Sequence, residues 1–136
     1  MVKRLVLIKC IQHAIQRNNS RHPNGSGYRH FSYVVSGNTI ISAGSNMQSI
    51  DAVTRVSLGY KPHQGAHAEL MAVTRARPDK LHKGFKLVNI HLNRANKLKC
   101  SRPCQACQAL LRACFCRGVC YSTDTGFAYL DLGLSI

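Results

Sequence analysis

The chain is 136 residues long, the size of one ordinary domain, and 45% of its residues are apolar, enough to bury a core without disulfide staples. No run approaches 18 consecutive apolar residues, and the opening "MVKRLVLIKCIQHAIQ" interleaves polar residues where a signal peptide has a pure apolar block, so neither a membrane span nor a secretory leader is expected. The formal charge of +14, from 19 Lys and Arg against five acids, points to polyanionic partners, and seven cysteines, an odd number, do not suit a secreted disulfide framework. The expectation is a single domain over residues 1–136, intracellular and cytoplasmic, with reduced thiols. All 19 basic residues fall within 1–117, while 118–136 carry two aspartates and no base. Such a field raises encounter rates with nucleic acid; a charge serving solubility alone is the competing reading.

Leu5, Ile8, Ile11 and Ile15 recur at intervals of three and four, which predicts an amphipathic helix over 2–17 that stops at "NNS". A breaker cluster, "RHPNGSG", follows. "YRHFSYVVS" and "TIISAG" flank Gly37-Asn38, a dipeptide suited to positive φ in a tight hairpin turn, giving antiparallel strands at about 28–36 and 39–44. Residues 45–64 show no sustained periodicity. In "AHAELMAVTRAR", Leu70, Val73 and Ala76 share a helical face before Pro78, so a second helix opens at the histidine and glutamate. "FKLVNIHLN" alternates as a strand over 85–93, a basic loop runs through Lys97 and Lys99, and Pro103 suits the first turn of a third helix continuing to about Arg117. "GVCYST" is a further strand, and "FAYLDLGLSI" fits strand or helix. This order of elements is that of an α/β domain with a mixed sheet covered by helices.

The chain's one glutamate, Glu69, stands two positions after His67 in "GAHAEL", and downstream "SRPCQACQALL" sets Cys104 and Cys107 three apart at a predicted helix start. Both sulfurs fall on one face there, and the unpaired N–H groups of a first turn favour thiolate over thiol. Taken alone, a Cys-x-x-Cys opening a helix after a strand is also how thiol–disulfide redox centres are built. His67 argues for zinc, since one imidazole and two thiolates leave a fourth position open, the catalytic arrangement, whereas structural zinc is closed by four ligands. Water in that position needs a base that is not itself a ligand, and Glu69 is the only glutamate to serve. Residues two apart on an ideal helix point in different directions, so spacing leaves open whether His67 and Glu69 meet. Cys100, Cys114, Cys116 and Cys120 read as buried thiols, with a second, structural zinc as the competing reading.

Together, "HAE" and "PCQAC" resemble the signature of the zinc-dependent cytidine/deoxycytidylate deaminase superfamily. The resemblance covers most of the chain and implies a three-layer α/β/α cytidine-deaminase-like fold, with a mixed central sheet of about five strands flanked by helices. It implies one Zn2+ per chain on His67, Cys104 and Cys107, and Glu69 as the proton shuttle that lets water replace an exocyclic amine, releasing ammonia. By the same resemblance Asn46, in "AGSN", contacts the substrate's sugar or base, and the backbone around Ala68 and Arg102 binds the developing amine and carbonyl.

Histidine as the first ligand is more similar to the deoxycytidylate and nucleic-acid deaminases than to the free cytidine deaminases, which commonly have cysteine there. A mononucleotide phosphate needs about two or three cations, far fewer than this chain carries, so cytosine-to-uracil deamination on single-stranded DNA or RNA is the expected activity. Free deoxycytidylate stands close behind as substrate, and adenosine deamination on RNA uses the same motif. A thiol–disulfide oxidoreductase accounts for Cys104 and Cys107 but leaves His67 and Glu69 idle; a nonenzymatic zinc-containing nucleic-acid binder accounts for charge and cysteines. Phe31 is a candidate stacking surface, although alternation puts Arg29, Phe31 and Tyr33 on one strand face and Tyr28 and His30 on the other, so that one set is core packing. Lys97, Lys99 and Arg102 are candidate phosphate contacts beside the cysteine motif. No membrane partner is expected, and the oligomeric state, homo-oligomer included, stays open.

Overall fold

The structure is a computed structural model that describes residues 2–20, 28–45, 68–77, 81 and 84–133. Its described elements are α1 (Arg4–Asn19), β1 (Tyr28–Ser36), β2 (Thr39–Ser45), α2 (Ala68–Arg75), β3 (Phe85–Asn93), β4 (Leu98–Lys99), α3 (Gln105–Ala113), β5 (Cys116–Thr123) and β6 (Gly126–Asp131). Six strands form one mixed open sheet in the order β2-β1-β3-β5-β6, with β4 paired to β3. β1 is antiparallel to β2 and β3, β5 is antiparallel to β6, and β3 runs parallel to β5. Parallel neighbours need a crossover, which α3 supplies.

Strand alternation divides the core. Phe31, Tyr33, Val35, Val88, Ile90 and Leu92 pack with Val6, Cys10 and Ala14 of α1. Val34, Leu87 and Val119, on the opposite face, pack with Ala72 and Val73 of α2 and Leu111 of α3. Helix α1 therefore covers one face of the sheet, and α2 and α3 cover the other. No described helix is long and apolar enough to cross a membrane.

Helix α1 departs from the expected face. Val6, Cys10, Ala14 and Asn18 are the buried ridge at intervals of four, flanked by Leu7, Ile11 and Ile15, while Leu5 is 73% exposed and Ile8 also faces solvent. Two overlapping apolar stripes run along this helix, and the sheet takes the one with smaller side chains. The helix also passes through "NN" to Asn19, because Asn18 is a buried latch: its Nδ2 donates to Asn93 O (2.9 Å) and Asn96 Oδ1 (2.8 Å). The β1–β2 hairpin closes on Gly37-Asn38 as expected, with positive φ at Gly37 alone (59°), the pattern of a type II′ turn.

Three further expectations are corrected. The basic loop contains β4, whose pairing with His91 and Leu92 makes a sixth strand. Helix α3 is capped by Cys104, so Pro103 precedes it, and it ends at Ala113 because Phe115 adopts a left-handed φ of 70°. β5 then begins at Cys116, and the ambiguous tail is the hairpin strand β6.

Candidate active site

Helix α2 is seated on β2 by three devices. Gly44 brings the backbones together: a Cβ there would lie 2.5 Å from Ala72 N and 2.8 Å from Ala68 O. Ser42 Oγ donates to Ala72 O (2.6 Å), and Arg75 reaches around the sheet edge to donate from Nη1 to Ala43 O (3.2 Å). Ala68, Glu69 and Leu70 are all buried in the described first turn. Glu69 is only 7% exposed, a charged side chain that burial tolerates when its surroundings compensate it. Its place in the first turn puts the carboxylate at the positive end of the helix dipole.

The two sequence motifs meet at the start of α3. Cys107 is fully buried and shares a small cluster with Leu70, the residue after Glu69, flanked by Ala106 and Leu110. Cys104, the exposed N-cap of α3, makes no capping hydrogen bond through its sulfur. The pair thus presents one outer and one inner sulfur in the first turn, beside the turn that carries Glu69.

A buried polar network holds the approach to Cys104. Ser101 Oγ donates to Asn89 O of β3 (2.9 Å) and accepts from Ser122 N of β5 (2.7 Å). Asn89 Nδ2 donates back to Ser101 O (3.1 Å), and Ser32 Oγ of β1 donates to Asn89 Oδ1. Ser122 Oγ donates to Lys99 O (2.7 Å) and accepts from His91 N (3.0 Å). Residues 99–101 are therefore bolted across the parallel β3–β5 pair, three residues before the first cysteine of the motif. Sheets of this kind place ligands at the carboxyl ends of their parallel strands, and this network lies in the later halves of β3 and β5. Asn89, Ser101 and Ser122 were not singled out from sequence; isolated polar residues in strands look like surface positions.

The remaining candidates fall as follows. His67 and Asn46 lie outside the described residues. Arg102 is exposed, with its guanidinium 5.9 Å from the centroid of the Tyr121 ring and Nη1 donating to Tyr121 OH at 3.4 Å. Lys99 sits in β4 opposite His91, next to the network. Exposed Lys97 belongs to the turn that accepts α1, where its N–H donates to Asn93 Oδ1 (3.0 Å). Phe31 is buried on the α1 face, across the sheet from Leu70 and Cys107, so stacking a base at the cysteine motif is not a role its position allows.

No disulfide joins any of the seven cysteines, and Cys100, expected to be buried, is exposed. Burial pushes Cys10 and Cys116 up to about 12, and it raises Cys114 and Cys120 as well, which keeps these four protonated and unreactive near neutral pH. Cys116 uses its thiol to donate to Gly118 O. Among the described residues, which include every cysteine but not His67, no three metal-ligating side chains come together. His67, the expected third donor beside Cys104 and Cys107, lies outside the described residues. Two sulfurs in a helix's first turn with an imidazole are a donor set chemically suited to zinc. Compared with protein-family models and with curated proteins, the chain matches none.

Proposed function

We propose that this chain is a zinc-dependent hydrolytic deaminase that converts a nucleobase amine to a carbonyl, with cytosine in single-stranded nucleic acid as its substrate. The observation that carries the reading is the packing of Leu70 against Cys107, which sets the turn of the sole glutamate beside the first turn of the Cys-x-x-Cys helix. The element order and three-layer arrangement suit a cytidine-deaminase-like fold.

His67, Cys104 and Cys107 would hold the metal. Zinc, when bound, supplies a Lewis acid that lowers the pKa of water to about 7. Glu69 does the proton work: it accepts a proton from the attacking water and delivers protons to the ring nitrogen and the exocyclic amine, which departs as ammonia. The carbon–oxygen bond forms by addition of water across the ring carbon–nitrogen double bond, the bond to the exocyclic amine then breaks to restore that double bond or its carbonyl tautomer, and no electron is gained or lost. The burial of Glu69 keeps its carboxylate away from bulk water, where proton exchange would compete.

A redox reading is favoured by one observation, the exposed first cysteine and buried second at a helix start. Metal content separates the two: the deaminase reading requires about one zinc per chain, and the redox reading none. The direct test is to offer purified protein cytosine-containing single-stranded DNA, RNA, deoxycytidylate, deoxycytidine and adenine-containing controls and follow the mass gain of about one dalton per exchange. Gain on the polynucleotides supports the proposal; gain only on deoxycytidylate assigns the mononucleotide, and gain on none with zinc present overturns it.

A further inference from the structure

Among the described strands β6 ends the sheet opposite β2, and no described strand pairs with its outer edge. Gly126–Leu130 carries no charge, and Phe127, Ala128, Tyr129 and Leu130 are all half-buried. A border strand without lysine, proline or any other charge up to its last residue lacks the usual devices against pairing with another chain. One bond fixes which backbone groups point outward. Leu132 N donates to Arg117 O of β5 (3.1 Å), so even-numbered residues here address β5, and the N–H and C=O groups of Phe127, Tyr129 and Asp131 point away from the sheet. The side chains do not cover that edge. Phe127 and Tyr129 pack into the core on the α1 side, and Tyr129 leans back over β5, where a Cβ on Gly118 would collide with its hydroxyl. The helices leave the edge clear as well, since α1 sits over β1 and β3 and α3 over β5.

We propose that β6 pairs antiparallel with β6 of a second copy, about a two-fold axis at Tyr129, so that the two sheets join into one. In that register the outward groups of Tyr129 meet those of Tyr129 in the second copy, and the outward groups of Phe127 meet those of Asp131, twice over by symmetry. Ala128 falls opposite Leu130 on the other face, a small side chain against a large one, and Asp131 meets no second acid. Charge favours a second copy at this edge. Two chains of +14 repel, but residues 118–136 hold two aspartates and no Lys or Arg, so the copies approach where each carries the least positive charge. Lys86 reaches the Tyr129 ring, 5.9 Å from its centroid, but from the inner strand β3. Nucleic acid is drawn to the basic segments and away from the same edge. The inference concerns assembly alone and does not rest on the deaminase reading.

A contact one strand wide is at the small end of specific interfaces, so the dimer should come apart on dilution. Sedimentation of the full chain in reducing buffer, which keeps the exposed Cys100 and Cys104 from cross-linking, should show monomer passing to dimer, and to nothing larger, over about two decades of concentration. Added salt should tighten the association by screening repulsion, the reverse of its effect on nucleic-acid binding. Ala128→Lys sets a cation against Leu130 in both copies, and Asp131→Pro removes an outward N–H; each should weaken dimerisation by about tenfold or more. Gln12→Lys adds the same charge at an exposed position on α1 and should leave the dimer nearly unchanged. Circular dichroism and melting confirm folding of each variant. Hydrogen exchange of the wild type is a second readout: the amides of Phe127 and Tyr129 should slow as concentration rises, while those of Ala128 and Leu130, which address β5, should not change. A monomer at every concentration, wild-type dimerisation in both border variants, equal loss in Gln12→Lys, or exchange at Phe127 and Tyr129 that ignores concentration would overturn the proposal.

Discussion

Replacing Gly44 with alanine is the most direct test of how the fold sets the candidate site. The added Cβ would meet Ala72 N at 2.5 Å, Met71 Cβ at 2.7 Å and Ala68 O at 2.8 Å, against an ordinary contact of 3.4 Å or more. Two of these atoms are backbone, so no side-chain rotation relieves the clash, and α2 must lift from β2 by up to about 0.9 Å. Overpacking of this kind costs about 1–3 kcal/mol, which for a chain of this size lowers the melting temperature by roughly 4–12 °C. The displaced atoms include the carbonyl next to Glu69, and a misplacement near 1 Å can lower turnover by about 10²-fold. Thermal melting gives the first quantity and kcat at saturating cytosine substrate the second. Gly37→Asn is the contrast: at φ 59° an added Cβ has nothing within 4 Å, and Asn tolerates that conformation, so both quantities should stay near wild type. A Gly44→Ala protein that melts and turns over like the wild type would refute the seating of α2 on β2.

Glu69→Gln, nearly isosteric, should retain about one zinc per chain by elemental analysis yet lose turnover by about 10²-fold or more; unchanged deamination would remove Glu69 from the proton-transfer role. Ser101→Ala strips a buried donor from Asn89 O and an acceptor from Ser122 N, and urea unfolding should find a loss of about 1–3 kcal/mol; a loss within error would mean the network is not what fixes residues 99–101. Alkaline pH should destabilise the fold. Cys10 and Cys116 ionise near 9 when unfolded but near 12 when folded, so between those values the folded state binds more protons and stability falls, by up to about 1.4 kcal/mol per pH unit for each thiol. Melting curves at pH 8, 9, 10 and 11 check the sign, and a flat or rising profile would contradict the burial of both groups.

The sheet was largely legible because its signals are local. The alternation of "FKLVNIHLN" marks β3 over Phe85–Asn93, and Gly37-Asn38 marks the first hairpin. Where the chain offered two consistent local patterns, tertiary packing chose between them. Leu5 and Ile8 have the right spacing for a buried face, but the sheet accepts the ridge through Val6, Cys10 and Ala14. The end of α3 was hidden because Cys114 and Cys116 prolong an apolar helical pattern that Phe115 breaks with its backbone, a break glycine would have announced. Glu69, Cys104 and Cys107 stand out in the sequence by residue type and spacing, while His67 lies outside the described residues. The network of Ser32, Asn89, Ser101 and Ser122 does not stand out, since it joins positions up to 57 residues apart whose partnership exists only once β1, β3 and β5 are aligned.

Arg75 has one more effect. Among the described strands β2 borders the sheet, and a bordering strand invites another chain to extend the ladder, the usual route to swapped dimers and fibrils. By donating to the Ala43 carbonyl, this guanidinium engages an acceptor on the bordering strand and sets a positive charge beside it, a feature that disfavours pairing with another strand. The group that pins α2 thereby also makes this edge a poorer template for another strand.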